Sequence, residues 1–313
     1  MMNLSIGKTS AVALGALVLG AVAYLAWPTS QNVDGQVSCL SPETIAPETS
    51  GMVLIEGGAF DMGAGSIYSD EGPVRREEVE SFWIDATEVT NAEFAEFVDA
   101  TGYVTVAEAG IDGVVPPGAA VFQTPESNAE GRWSYADTAN WRQPEGAGST
   151  IVGREHFPVV QIAYQDAVAY ATWKGRTLPT EVQWEYAARG GLDGAKYAWG
   201  EEREPGGEYL ANNWQGFFPF NDEGVDGFVG RAPVGCYPPN GYGLYDMIGN
   251  VWEWTADPYA PPDASVGLMK GGSYLCAPNY CRRYRPAARH PQEVDLGTDH
   301  IGFRTVSLTR PKG

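Results

Sequence analysis

Cys276 and Cys281 stand five residues apart in the segment KGGSYLCAPNYCRRYRPAAR, and no other pair in the chain is as well placed for chemistry. Gly271 and Gly272 just ahead of them let the backbone approach closely, and Pro278 between them disfavours a regular helix. Such a pair has two chemical uses. In an exported protein it forms a structural disulfide. As free thiols it becomes a reactive or metal-binding pair, because Arg282, Arg283, Arg285 and Arg289 would stabilise thiolates. Two soft thiolates select Cu(I) over harder divalent ions. The residue types alone leave both uses open.

Two further clusters offer oxygen. Asp246, Gly249, Val251 and Glu253, in GYGLYDMIGNVWEW, present two carboxylates and intervening main-chain carbonyls, a donor set suited to Ca²⁺. Asn212, Asn213, Asp226 and Phe228 form a similar oxygen-rich stretch in ANNWQGFFPFNDEGVDGF. Both clusters read equally as acidic surface turns. Glu253 is the exception, because it sits between two tryptophans, where a carboxylate needs a partner. The three histidines, His156, His290 and His300, fall in no HExxH arrangement, which argues against a zinc hydrolase or a histidine-ligated iron centre. A nucleophile elbow, a phosphate-binding glycine loop and a dinucleotide fingerprint are also missing.

Three helices can be placed as supports for these loops. The first is opened by Thr90 with Glu93 as its capping-box partner, buries Phe94, Phe97 and Val98, and ends at Gly102. The second covers Asp166–Lys174, burying Val168, Tyr170, Ala171 or Trp173, and stops at Gly175. Thr180 opens the third, with Gln183 as box partner, and Gly190 and Gly191 end it. Short strands are expected at Met52–Ile55, Ser81–Ile84, Val159–Ile162 and Ile301–Ser307, and the rest, above all 104–158 and 192–300, as loop. Ten tryptophans and sixteen tyrosines, many of them in those loops, imply a core closed by large side chains.

Composition bounds the remaining possibilities. With 313 residues, 43% hydrophobic, the chain can bury a full core, and 39 glycines with 22 prolines favour turns over long helices. Forty acidic against twenty basic residues give a net charge of −20, which repels phosphate backbones and argues against nucleic-acid binding. Four cysteines are too few for a disulfide scaffold. Residues 9–27 are uncharged and long enough to span a bilayer, follow Lys8, and precede a run whose first basic residue is Arg75. The expectation is export, with residues 1–28 a cleaved signal peptide or a signal anchor in the inner membrane. Residues 29–50 read as a flexible linker and 51–313 as one periplasmic or otherwise extracytoplasmic domain.

Beyond these readings, the chain resembles the formylglycine-generating enzyme, or sulfatase-modifying factor, family over nearly all of 52–306. The matching segments are MVLIEGGAFDMG, IDATEVTNAEFAEFV, FPVVQIAYQDAVAYATWKGRTLPTEVQWEYAARGG, NGYGLYDMIGNVWEWTAD, the cysteine segment and the closing GFR. Several of these also occur in non-enzymatic members, so they identify the fold better than the reaction. The resemblance implies an α+β fold of C-type-lectin-like kind: one loop-rich domain with little regular secondary structure, expected as a monomer. It implies an oxidoreductase that uses O₂ to convert a sulfatase cysteine, in a Cys-x-Pro-x-Arg motif, to Cα-formylglycine. Cys276 and Cys281 would then hold Cu(I), with Ser273, Trp252 and Tyr280 lining the oxygen and substrate pocket. Arg285, Trp141 and Pro144 would lie along the substrate groove. Ca²⁺ would bind at Asn212, Asn213, Asp226 and Phe228, and at Asp246, Gly249, Val251 and Glu253. Membrane contact would be confined to the N-terminal segment.

This sequence departs from the family pattern at several positions. Ala277 stands where members commonly have His, Asp246 where Asn is usual, and Gln292–Gly297 keeps only Asp295 of the usual pocket-shaping stretch. The extra cysteines of animal members are missing, and the place of Cys39 in the linker argues against its pairing with Cys236. Two other readings therefore stand beside the first. One is a non-catalytic binding module in which Cys276 and Cys281 form an inert disulfide. The other is a related exported oxidase acting on a small molecule.

Overall fold

Local signals govern the helices. The computed structural model describes residues 39–40, 44–125 and 132–311, all within the unit Val37–Gly313. Helix α1 (Asn91–Thr101) begins at the expected box: Glu93 N–H donates to Thr90 Oγ1 and Thr90 N–H to Glu93 Oε2, and left-handed Gly102 ends it. A second box, Thr105 with Glu108, opens the short α2 (Val106–Ala109) inside the stretch 104–158 expected as loop. Helix α3 (Tyr164–Trp173) starts two residues before the expected Asp166. Asp166 is instead its third residue, and its carboxylate accepts from Ala163 N–H, Val106 N–H and the Tyr103 hydroxyl. That pairing turns the helix so that Ala167 is buried and Val168 is exposed, against expectation. Helix α4 (Glu181–Arg189) lies as expected between the Thr180 cap and Gly190.

The strands are β1 (Met52–Ile55), β2 (Gly58–Met62), β3 (Arg75–Val79), β4 (Phe82–Asp85), β5 (Ala119–Gln123), β6 (Arg132–Ala136), β7 (Trp252–Ala260), β8 (Asp263–Lys270), β9 (Arg289–Glu293), β10 (Ile301–Gly302) and β11 (Val306–Ser307). They form a three-stranded sheet in the order β1-β4-β11, a four-stranded sheet β10-β7-β8-β9, and the hairpins β2-β3 and β5-β6. Among these strands of the described residues, only β10 runs parallel to its neighbour. The fold is thus α+β and loop-rich, as expected.

Three strand expectations are corrected. Residues 159–162 are buried but not a strand, because Gln161 adopts φ +62° and the main chain bonds to Val89 and Thr298 singly. The stretch 301–307 breaks in two, where Arg304 and Thr305 turn to Asp85. The region 192–300 contains β7, β8 and β9, which Pro258, Gly267 and Pro291 hid by interrupting the usual strand signature.

Large rings close the core. Phe94 lies edge-on to Trp141 at 5.2 Å and stacks on Tyr170 at 6.0 Å, and Phe303 meets Tyr170 at 5.3 Å. A further correction concerns the linker. Cys39 is disulfide-bonded to Cys236, and Leu40 N–H donates to Gly235 O, so this part of the expected tether is fastened to the domain. The expected signal segment, residues 1–28, lies outside the described residues. Among the described residues no helix is long and apolar enough to cross a membrane.

Candidate active site

The cysteine loop leaves β8 through Gly271 and Gly272. Gly272 has φ +80°, and a Cβ there would come within 2.8 Å of the Tyr284 backbone, so only glycine lets the outgoing and returning limbs touch. Fully buried Ser273 then starts a turn: its carbonyl accepts from Cys276 N–H (2.9 Å) and its Oγ from Leu275 N–H (3.3 Å). Cys276 is buried and Cys281 half-buried, and both are free thiols. The inert disulfide of the binding-module reading is therefore not formed.

The two thiols are hydrogen-bonded to each other and titrate in opposite directions. Burial, together with donation to Cys281, pushes the Cys276 thiol well up. The Cys281 thiol is held below its ordinary value by that same bond, by the Arg283 main-chain N–H and by the charges of Arg283 and Arg285. Of the two, the half-buried Cys281 gives up its proton more readily than the buried Cys276.

A strap from the first quarter of the chain holds these arginines. Asp70 accepts from both terminal nitrogens of Arg283 (2.9 and 3.2 Å), whose guanidinium lies 4.2 Å from the Tyr68 ring centroid. Glu71 accepts from Arg285 Nη2 (2.5 Å), and Gly65 O from Arg285 Nη1 (3.0 Å). Arg285 is 1% exposed, so it acts on the thiols from beneath and does not face a groove, correcting the substrate role expected for it.

Tyr280 is 64% exposed beside the pair and stacks on Phe218 at 4.3 Å. The ring series continues through Phe122 to Trp133, which packs on His300. Trp252 is buried, its ring stacked on His290 at 5.3 Å, and its main-chain N–H donates to His300 O. Burial holds His290 down at about 4 and His300 at about 3, so both rings are neutral near pH 7. Trp141 and Pro144, expected along the groove, are buried: Trp141 is in the core, and Pro144 O accepts from Gln161 Nε2 (2.6 Å). Sequence reasoning missed Phe218, Trp133, Asp70 and Glu71, which become part of the site only through tertiary contact.

The oxygen clusters differ from each other. In the first, Asp226 accepts from Asn213 N–H, Phe228 N–H and Gln215 Nε2, so its carboxylate is satisfied by its own loop. Asn212 donates to Gly230 O and Asn250 Oδ1. In the second, Glu253 has a partner, but it is Arg304 of the closing GFR, through Nε (2.7 Å) and Nη2 (2.8 Å), together with Trp184 Nε1 (2.7 Å). Asp246 accepts from Gly235 N–H (2.6 Å), and burial pushes it up to about 6. Glu88, absent from the sequence reading, is fully buried here, and its Oε1 has no hydrogen-bond partner. Burial, then the charges of Asp246 and Glu253, push Glu88 well up. Among the described residues no three His, Cys, Asp or Glu side chains by themselves form a metal-holding group.

Comparison with known proteins agrees with this architecture. The family model of the sulfatase-modifying factor enzyme 1-like domain matches residues 38–308. A formylglycine-generating enzyme of Mycobacterium tuberculosis is 48% identical, over 82% of this chain and 97% of its own. A bovine relative named inactive C-alpha-formylglycine-generating enzyme 2 is 41% identical, over 85% of this chain and 91% of its own. Among solved structures, PvdO from Pseudomonas aeruginosa superposes with a TM-score of 0.59 at 25% identity, covering 82% of this chain and 93% of that one. By this match across the whole folded domain, the chain belongs to the sulfatase-modifying factor enzyme 1-like, formylglycine-generating enzyme family.

Proposed function

We propose that this enzyme of the formylglycine-generating family oxidises a cysteine, within a Cys-x-Pro-x-Arg segment of a sulfatase, to Cα-formylglycine with O₂: the Cβ–S bond breaks and the sulfur leaves as sulfide, one oxygen atom becomes the aldehyde and the other water, with two electrons from the cysteine carbon and two from an added thiol reductant. The observation that carries the reading is the unbridged pair Cys276 and Cys281, with the half-buried Cys281 the more readily deprotonated of the two. This donor set fits Cu(I), held by the two sulfurs. A bound Cu(I) would supply a soft centre able to take a third thiolate and pass electrons towards O₂.

The chain's own residues do the rest. The hydrogen bond from Cys276, and then the charges of Arg283 and Arg285, fixed by Asp70 and Glu71, hold the Cys281 thiol below its ordinary value. Tyr280 on Phe218 offers a flat apolar wall beside Cys281, against which a peptide can lie. Neutral His290 behind Trp252 adds no positive charge to compete for the thiolate.

The test is a Cys-x-Pro-x-Arg peptide incubated with copper-loaded protein in air and analysed by mass spectrometry. The expected product is lighter by the difference between CH₂SH and CHO, and Cys276→Ser and Cys281→Ser each abolish it. Failure to bind Cu(I) with reduced thiols overturns the oxidase reading. Copper binding without peptide conversion favours the small-molecule oxidase, a reading supported by the divergent 292–297 segment.

Calcium is proposed at the second oxygen cluster, Asp246, Gly249, Val251 and Glu253. At the first, an ion requires the Gln215 amide to swing away from Asp226, so calcium stoichiometry distinguishes one site from two. Export is proposed from the uncharged run 9–27 and from the Cys39–Cys236 disulfide, a bond that persists in oxidising compartments. Detergent-dependent extraction supports a membrane anchor, and a soluble, N-terminally trimmed product rejects it.

A further inference from the structure

We infer that Arg282 and Lys196, two cations without a carboxylate partner beside the cysteine loop, form a docking site for a small anionic thiol, the reductant that supplies the second pair of electrons to the oxidation. The inference rests on the proposed reaction and adds to it the chemical class of a co-substrate and the place where it arrives.

Most arginines of this region are neutralised. Asp70 holds Arg283 (2.9 Å), Glu71 holds Arg285 (2.5 Å), Glu181 holds Arg289 (3.0 Å) and Glu204 holds Arg203 (2.7 Å). Arg282, directly after Cys281, is exposed, and among the described residues its guanidinium has no ion pair and no hydrogen bond. Its main chain is fixed all the same: the N–H donates to the Tyr68 hydroxyl (3.3 Å), and the carbonyl accepts from Arg285 Nε (2.7 Å). The root of the side chain is therefore held while its charge is left for a ligand. Lys196 comes from another element, the base of the tight turn 197–200, which Tyr197 N–H closes on Gly200 O (2.9 Å). Its Nζ lies 5.3 Å from the Tyr197 ring centroid and, among the described residues, makes no ion pair. Tyr197 joins the two parts. Its ring stacks on Tyr284 of the cysteine loop at 6.2 Å, and the charge of Arg282 acts on its hydroxyl. The strap packs beneath: a Cβ on Gly65 would come 3.0 Å from Lys196 Cα, and Gly65 O accepts from Arg285 Nη1 (3.0 Å).

Charge selects the ligand. The chain carries a net charge of −20 and repels anions over most of its surface, so two uncompensated cations beside the thiols are a local exception. They suit a ligand with carboxylates. The sulfatase motif is a poor match, because its own arginine carries the same charge, and the wall offered to the peptide is built from other residues, Tyr280 on Phe218. The reaction has a second requirement that an anion can meet. O₂ takes four electrons, and the cysteine carbon gives only two. Two thiols closing to one disulfide give the other two with two protons. Peptide cysteine, O₂ and two thiols then balance as aldehyde, hydrogen sulfide, water and one disulfide. A carboxylate-bearing thiol held by Arg282 and Lys196 arrives at the loop beside Cys281, the half-buried member of the pair.

Two measurements test it, and the first needs no turnover. Cys281 of the reduced, metal-free chain is alkylated with iodoacetate and with iodoacetamide, and the modified peptide is followed by mass spectrometry. The ratio of the two rates reports attraction for an anion and cancels any change in the thiol itself. Arg282→Gln and Lys196→Gln should each lower that ratio about two- to fivefold, the worth of one exposed ion pair. Arg282→Lys should keep it, and 1 M KCl, which screens charges beyond about 3 Å, should bring wild type down to the variants. The second measurement is peptide conversion by copper-loaded protein with mercaptosuccinate or β-mercaptoethanol as reductant. The preference for mercaptosuccinate, as a ratio of kcat/KM for the thiol, should fall in the same variants by a similar factor. An alkylation ratio equal in wild type and variants means that no anion site exists, and the inference is overturned. A ratio that falls while the thiol preference stays also overturns it; a raised KM for an acidic peptide in Arg282→Gln would then assign the site to the polypeptide. If the ratio behaves as expected but no thiol supports conversion, the oxidase reading falls, and the reductant role with it, while the anion site stands. Should Arg282→Gln not fold, Lys196→Gln and the salt dependence decide.

Discussion

Arg304 shows how a single side chain can explain a motif. The arginine of GFR is fully buried, grips Glu253 through Nε and Nη2, and donates from Nη1 to Asp85 O and again from Nη2 to Tyr245 O, carbonyls of two separate segments. Removing one partner strands the other, at a cost of about 3–5 kcal/mol for a buried pair. Arg304→Met should lower unfolding free energy in chelator by that amount in urea titrations, and Arg304→Met with Glu253→Leu by clearly less. Asp299 makes a second residue-scale prediction. Its Oδ1 is buried without a partner, and burial pushes its carboxyl up to about 7. The folded-state value lies above the unfolded one near 4, so folding takes up a proton between them. The associated stability is complete below pH 4 and is lost as pH rises through 7. Asp299→Asn should remove that slope. The variant's stability relative to wild type should rise across this window by on the order of a few kcal/mol, measured by unfolding at pH 4, 5.5 and 7.5.

At the scale of elements, the site is made by loops fastened at their bases to the regular structure. The strap 65–71 links the β2-β3 hairpin to the cysteine loop through Arg283 and Arg285, so the electrostatics of Cys281 depend on a segment more than two hundred residues away in the chain. The divergent 292–297 stretch is fixed similarly. A Cβ on Gly297 would come within 2.6 Å of the Gln161 backbone, and Gln161 itself is held at φ +62°. Neither side can give way freely. Gly297→Ala is expected to cost about 1–3 kcal/mol, the range for overpacking, and to shift β9 with its His290. Urea unfolding reports the first effect, and a changed KM for the peptide substrate, at similar copper affinity, reports the second.

For the whole molecule, the disulfide matters most. Cys39–Cys236 joins positions 197 residues apart and places the start of the domain beside Gly235, whose N–H holds Asp246. Closing so long a loop restricts the unfolded chain, a stabilisation of typically 2–4 kcal/mol. Cys39→Ser should lower unfolding free energy by about that much and abolish the difference between oxidised and reduced protein, while Cu(I) affinity at Cys276 and Cys281 stays as in wild type. Loss of copper affinity in this variant would mean that the two cysteine pairs are coupled.

Helices α1 and α4 were legible from residue order because their caps are local: Thr90 with Glu93, and Thr180 with Gln183, act within one turn and need no distant partner. The cysteine pair, the glycines before it and the acidic balance were legible for the same reason, since chemistry type, spacing and charge are properties of the string. Strands β7 to β9 were not, because their stability comes from pairing across the sheet, and the prolines and glycine within them blur any alternation. Nor could the string reveal that Cys276 and Cys281 stay unbridged while Cys39 reaches Cys236, that Arg285 turns inward to Glu71, or that Glu88 is buried against Asn250. Burial and proximity decide those outcomes: a side chain's partner and charge state depend on what the fold brings within a few ångströms of it, and only the packed molecule sets those neighbours.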